Sequence, residues 1–128
     1  MKRQTKKDLI KHRLTHAKET LDEVGDLLKF GYLQTAVNRI YYACFYAVNA
    51  LMLKNNIQAK THHGVRQMLG QHFVKTEKIS IELGKFYSDI FEGRQESDYT
   101  DFVEFDKNTV QAMRKSAIKF VSAIEKLL

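Results

Sequence analysis

The chain has 128 residues, is 44% apolar and 28% charged, and carries a net charge of +6. That length fits one compact domain, residues 1–128, whose core needs no disulfide or structural metal. One cysteine, no proline and six scattered glycines exclude an internal disulfide framework and argue against a linker-rich, collagen-like or disordered chain.

The opening stretch MKRQTKKDLIKHRLTH is basic with no apolar run behind it, so neither a signal nor a transit peptide is read there. Together with the lone Cys44, this points to a reducing, cytoplasmic compartment. A first helix is predicted from about Thr5 to Phe30. Thr5 and Asp8 have capping-box spacing, and Leu9, Leu14, Ala17, Leu21, Val24 and Leu28 form an apolar stripe of helical period. Gly31 supplies the stop.

A second helix, about Tyr32 to Asn55, is apolar on nearly all sides over its second half, as a central element packed against several neighbours must be. Its apolar run from Ile40 to Leu53 is interrupted by Asn49 and falls short of the roughly 20 residues that span a bilayer, so no membrane partner is expected. Asn55-Asn56 marks a break. Thr61 then caps a short helix through Gln71, with Val65, Met68 and Leu69 inward, as an appendage to the bundle. Long helices follow from about Ser80 to Tyr99 and from the N-cap Asp106 to Leu128, the last with Val110, Met113, Ala117, Phe120, Val121 and Ile124 on its apolar face. Four long helices and one short one with brief connections predict an all-α, up-and-down antiparallel bundle.

Charge is distributed unevenly. Residues 1–29 hold eight basic and five acidic groups, residues 54–79 and 107–128 each hold five basic and one acidic, and residues 80–106 reverse this with two basic and eight acidic. A general nucleic-acid binder presents one broad basic face, whereas this split pattern fits ordinary solvated helix surfaces better.

Two clusters could carry chemistry. On the second helix Arg39, Tyr42, Tyr46 and Asn49 recur at spacings of three, four and three, bringing polar tips along one face into an apolar setting. Buried, such groups need hydrogen-bond partners, and both a ligand pocket and a set of satisfied register-fixing side chains remain open. In the second cluster, GRQESDYTDF, helical geometry would bring Asp98 and Asp101 near the face of Arg94 and turn Tyr99 away. From spacing alone a salt-bridged helix end is favoured over a phosphate site.

His12 and His16 have i,i+4 spacing but lack further zinc ligands, so they read as surface residues and no metal is expected. His62-His63, at the start of the short helix, could contact a phosphate or cap the turn. Cys44, in the most apolar helix, reads as core packing. Glycine-rich phosphate loops, Cys-x-x-Cys pairs and G-x-S-x-G elements are absent.

The stretch NRIYYACFYAVNALMLKNNIQAKTHHGVRQMLGQHF, followed by LGKFYSDIFEGRQESDYTDF and a closing amphipathic helix, resembles the HEPN domain family of higher-eukaryotic and prokaryotic nucleotide-binding proteins over roughly Tyr32 to Leu128. The Tyr-Tyr-Ala-x-Phe-Tyr core, the Lys-Thr-His-x-Gly-Val turn and the Arg-x-x-x-Asp-Tyr end occur in that order. The resemblance implies a helical bundle that forms a homodimer, often encoded beside a nucleotidyltransferase with which it acts as a toxin–antitoxin pair, and it implies no cofactor.

Active members of the family are metal-independent endoribonucleases whose motif is Arg, four to six residues, then His. Arg94 matches the first position. Positions 99, 100 and 101, where the histidine would stand, are Tyr99, Thr100 and Asp101. Cleavage needs a group that exchanges protons near neutrality, and unperturbed Tyr and Asp titrate near 10 and 4 against about 6.5 for His. In some toxin members a tyrosine shortly after the histidine accepts a transferred nucleotide; the usual spacing falls on Asp101 rather than Tyr99.

Three readings follow. The leading one is a nucleotide- or RNA-binding module using Arg94, with Arg39, Tyr42 and Tyr46 as further ligand contacts, working with a nucleotidyltransferase and not cleaving RNA. The second is an active endoribonuclease toxin with Asp98, Asp101 or Tyr99 replacing the histidine. The third is a structural interaction module in which Arg94 only bridges helices.

Overall fold

Thr5 opens α1 (Lys6–Lys29): its side chain accepts from the Asp8 amide at 3.1 Å while the Asp8 carboxylate accepts from the Thr5 amide, completing the capping box. The helix ends at Phe30, and Gly31 turns the chain at φ +77°, a left-handed conformation that costs glycine little. The computed structural model describes residues 5–99 and 105–128, with the side chains of residues 94–99 outside that description.

After the tight turn, α2 (Leu33–Lys54) runs back along α1. Ala36, Val37, Ile40, Tyr41, Ala43, Cys44, Ala47, Val48, Ala50, Leu51 and Met52 are all buried, so nearly every side of its middle is covered. The alanines keep neighbouring axes close, and α1, α3, α4 and α5 all pack on this one helix. Asn56 takes φ 57° where the sequence predicts a break.

Thr61 caps α3 (His62–Leu69) by accepting from the Gly64 amide at 2.9 Å. The sequence predicts an α-helix through Gln71. The α-helical geometry instead stops at Leu69 and widens into a π-helical segment, Gly70–Val74, closed by the Lys75 amide donating to the Gly70 carbonyl at 2.9 Å. Close packing accompanies this change: a Cβ on Gly84 of α4 (Ile81–Tyr99) would lie 2.7 Å from Cγ2 of Val74.

Ser80 accepts from the Leu83 amide at 3.1 Å at the start of α4. Asp106 caps α5 (Lys107–Glu125), accepting from the Thr109 amide at 2.7 Å and the Thr109 hydroxyl at 3.0 Å; these bonds hold its carboxyl below its ordinary value. The α-helix closes at Glu125, three residues short of the expected Leu128. Lys18 of α1 pairs with Glu125 at 2.7 Å, and Lys54 donates to the Leu128 carbonyl. With Arg114, nearer the start of α5, donating to the Leu21 carbonyl further along α1, the two helices run antiparallel, and the expected all-α bundle of four long helices and one short helix is observed among the described residues. No helix among the described residues is long and apolar enough to cross a membrane.

Gly84→Ala should destabilise the fold, because the stiff, β-branched Val74 must move; overpacking of this kind costs about 1–3 kcal/mol, more than the gain of about 1 kcal/mol from improved helix propensity. Gly70→Ala, whose new methyl meets nothing within 4 Å, should be neutral or stabilising, with both variants compared by urea titration.

Candidate functional site on the α2–α3–α4 face

Tyr41 is fully buried, so its hydroxyl needs a partner inside the protein. His62 supplies one: the Tyr41 hydroxyl and His62 Nδ1 are 2.8 Å apart. The imidazole also stacks on Phe45 with centroids 4.3 Å apart and meets the edge of Tyr42 at 5.7 Å. This interaction pins the first turn of α3 to the middle of α2. The expectation that Thr61 caps the turn therefore holds, whereas His62 takes a third role, anchoring α3 to α2.

From α4, Tyr87 and Phe91 each approach Tyr41 with ring centroids 5.9 Å apart, and Tyr87 stacks on Phe120 of α5 at 5.4 Å. The Tyr87 hydroxyl is buried and has no hydrogen-bond partner among the described residues. Burial raises its pKa well above 10.0; the neighbouring Tyr41 phenol adds to the rise without meeting it in hydrogen-bond geometry, and Arg66 opposes it. Burial likewise pushes the Cys44 thiol up, consistent with core packing and unsuited to nucleophilic attack at neutral pH.

Arg66 is the functional candidate that sequence reasoning missed. Its guanidinium carbon lies 4.5 Å over the Phe91 ring, Nη1 is 3.7 Å from Glu92 Oε1, and Nη2 is 3.3 Å from Nδ1 of exposed His63. Glu92 is two-thirds exposed, so this ion pair is weak and an anion can displace it at low cost. The only sequence signal for Arg66 is its position three residues after His63 in a short amphipathic helix, which says nothing of Phe91.

The helical register of α4 sets position 94 one turn beyond Ile90 and Phe91, on the face that carries Tyr87. The side chains of Arg94, Asp98 and Tyr99, and all of Asp101, lie outside the described residues. The second-helix stripe is divided among neighbours. Tyr42 faces His62, whereas Tyr46 stacks on His16 of α1 at 4.2 Å, and Asn49 donates to the Phe45 carbonyl at 2.9 Å. Arg39 is half-buried and forms no ion pair among the described residues. His12 and His16 approach each other at 6.2 Å, but no group of three or more His, Cys, Asp or Glu side chains suited to a metal gathers among the described residues.

The family resemblance implies an up-and-down helical bundle, and the described residues form an all-α one. The chain belongs to the HEPN domain family, matching it over residues 10–127. It is 44% identical over 123 residues to a UPF0332 protein of Thermotoga maritima, an alignment covering 96% of this chain and 93% of that protein. Two Methanocaldococcus jannaschii proteins are also similar. One, named "Putative toxin MJ0142", is 31% identical, with 88% of this chain and 76% of that protein aligned. The other, named "Putative toxin MJ0605", is 33% identical, with 88% and 83% aligned.

Removing the orphan hydroxyl with Tyr87→Phe should stabilise the protein or leave it unchanged. Tyr41→Phe, which strips His62 of a buried partner, should cost about 1–3 kcal/mol in urea unfolding. Alkaline pH should destabilise the fold by a related route. Cys44 and Tyr87 ionise in the unfolded chain near their ordinary 9.0 and 10.0 but stay protonated in the folded one, so the stability they confer is intact below pH 9.0 and falls as pH rises above it. Cys44→Ala and Tyr87→Phe should each flatten that decline in thermal melts run across this range.

Proposed function

We propose that this HEPN protein is a nucleotide- or RNA-binding module of a toxin–antitoxin-like pair, acting in the cytoplasm as a homodimer with a partner nucleotidyltransferase, and that it does not cleave RNA. The observation that carries this reading is the cation seat of Arg66 over Phe91, one helical turn from position 94. Arg94 and Arg66 would supply two permanently charged planar forks for phosphate oxygens. Tyr42 and the half-buried Arg39 extend the same binding role along α2.

The missing imidazole at 99–101 supports the non-cleaving part of the reading. Attack of a 2′-hydroxyl on its neighbouring phosphate needs a group that takes up and releases protons near neutrality. Asp98 or Asp101 beside Arg94 would be driven further from that range, because a nearby guanidinium favours the carboxylate. Tyr99 falls short from the other side.

One observation favours a second reading, an active metal-independent endoribonuclease. His63 is exposed and 3.3 Å from Arg66, so α3 could lend the imidazole that α4 lacks.

Purified protein incubated with RNA should leave it intact while binding a short RNA at low salt, and Arg94→Ala and Arg66→Ala should each weaken binding about tenfold, as expected for loss of a charge-assisted phosphate contact. Cleavage that disappears in Arg94→Ala would overturn the proposal, and cleavage that disappears in His63→Ala as well would establish the second reading.

A further inference from the structure

Away from the α3–α4 face, α1 and α5 border a groove of about 420 Å³ toward the end of the bundle where α1 finishes and α5 begins. Lys29, Lys107, Arg114, Lys115 and Gln111 line it, with no carboxylate among the lining residues. Arg114 is fixed there because its Nε donates to the Leu21 carbonyl at 2.9 Å, leaving the two terminal nitrogens of its guanidinium available. None of these four cations forms a salt bridge among the described residues. Of the carboxylates near these residues along the chain, Asp106 is bound to Thr109, Asp22 lines the adjoining groove with Lys18, and Asp26, beside Gly25, is exposed and does not line this groove.

A second observation stands beside the first. Phe30 and Tyr32, immediately after Lys29 at the α1–α2 turn, are 74% and 60% exposed, with ring centroids 6.4 Å apart. No core packing explains two large aromatic side chains left in water on either side of Gly31. Basic groups that track a phosphate backbone, together with aromatic rings on which unpaired bases stack, are the two elements by which proteins hold single-stranded nucleic acid. A duplex offers the phosphates but keeps its bases stacked internally, so the rings would gain nothing from it.

We propose that the α1–α5 groove and the Phe30–Tyr32 turn form a binding surface for single-stranded RNA, with Lys29, Lys107, Arg114 and Lys115 on the phosphates and the two rings on the bases. This surface is separate from the α3–α4 site and does not depend on it. Both lie toward the same end of the bundle, because α4 runs antiparallel to α5, with Tyr87 stacked on Phe120 and position 94 further toward the start of α5.

The test is fluorescence anisotropy with a labelled single-stranded RNA of about 12 nucleotides and the same strand annealed into a duplex, long enough to cross the groove and the turn. All measurements are made in an Arg66→Ala/Arg94→Ala background, which removes both cations of the α3–α4 site, so that the binding read belongs to the groove and its failure is distinct from failure of that site. The single strand should bind more tightly than the duplex. Lys29→Ala/Lys107→Ala/Lys115→Ala should weaken it at least tenfold and lower the salt slope by about 2, at roughly 0.7 per lost phosphate contact. Phe30→Ala/Tyr32→Ala should weaken the single strand about tenfold and leave the duplex unaffected. Absence of binding at low salt, or unchanged affinity in the lysine variant, overturns the proposal. Unchanged RNA affinity with an altered dimer–monomer balance in the aromatic variant also overturns it, by assigning the rings to a protein contact.

Discussion

The hydrogen bond between Tyr41 and His62 is the constraint on which the candidate site depends. α3 is too short to be stable by itself and buries few residues, so propensity cannot hold it in place. A phenol at the centre of α2 that must be satisfied and an imidazole at the first turn of α3 meet each other's need, and Phe45 completes the seat by stacking. With α3 locked, Arg66 is carried across to Phe91 and Glu92 of α4. The position of a cation beside α4 therefore follows from a buried polar contact made on another helix.

The same economy explains the orphan hydroxyl of Tyr87. The ring is needed where it is, between Tyr41 and Phe120, but the hydroxyl ends in a volume where the Tyr41 oxygen is already committed to His62. Buried groups of this kind cost stability, and they persist where the packing of the ring outweighs the lost hydrogen bond. Close packing also reaches the π-helical segment: Gly84 admits Val74 to the surface of α4, and the widened turn at Gly70 resets the register of the chain before α4 begins.

What was legible in the sequence was local or periodic. Thr5 with Asp8, Gly31, Thr61 and Asp106 act at their own helix ends, and the stripes on α1 and α5 follow a repeat of about 3.6 residues, so no distant information was needed to read them. The family was legible because three motifs occur in order. Arg66 as a site residue and the anchoring role of His62 were opaque because their partners, Phe91 and Tyr41, belong to other helices and neither pairing leaves a spacing signal. The basic groove was hidden for the same reason. A linear count reads residues 1–29 as merely leaning basic, and only the antiparallel pairing of α1 with α5 gathers Lys29 with Lys107, Arg114 and Lys115 in a groove that no carboxylate lines. The divided fate of Tyr42 and Tyr46 has a similar cause: one helical face can meet two neighbours, α3 at one level and α1 at the next.

What separates a phosphate-binding HEPN bundle from one that cleaves RNA is proton exchange, because charge stabilisation is common to both. A guanidinium can hold a phosphate in its ground state and stabilise added charge in the transition state, but it never gives up its proton at working pH. Of the two imidazoles that α3 brings near α4, His62 is committed to Tyr41 and Phe45, where it holds the architecture together. His63 is exposed and touches Arg66 at the outer limit of a hydrogen bond, so it is free to move but not preorganised. Catalysis gains most from groups already aligned with the developing charge and least from groups that must first be ordered. On the proposed reading, Arg66 seated over Phe91 beside an unfixed imidazole is better matched to holding an RNA phosphate than to breaking the bond beside it.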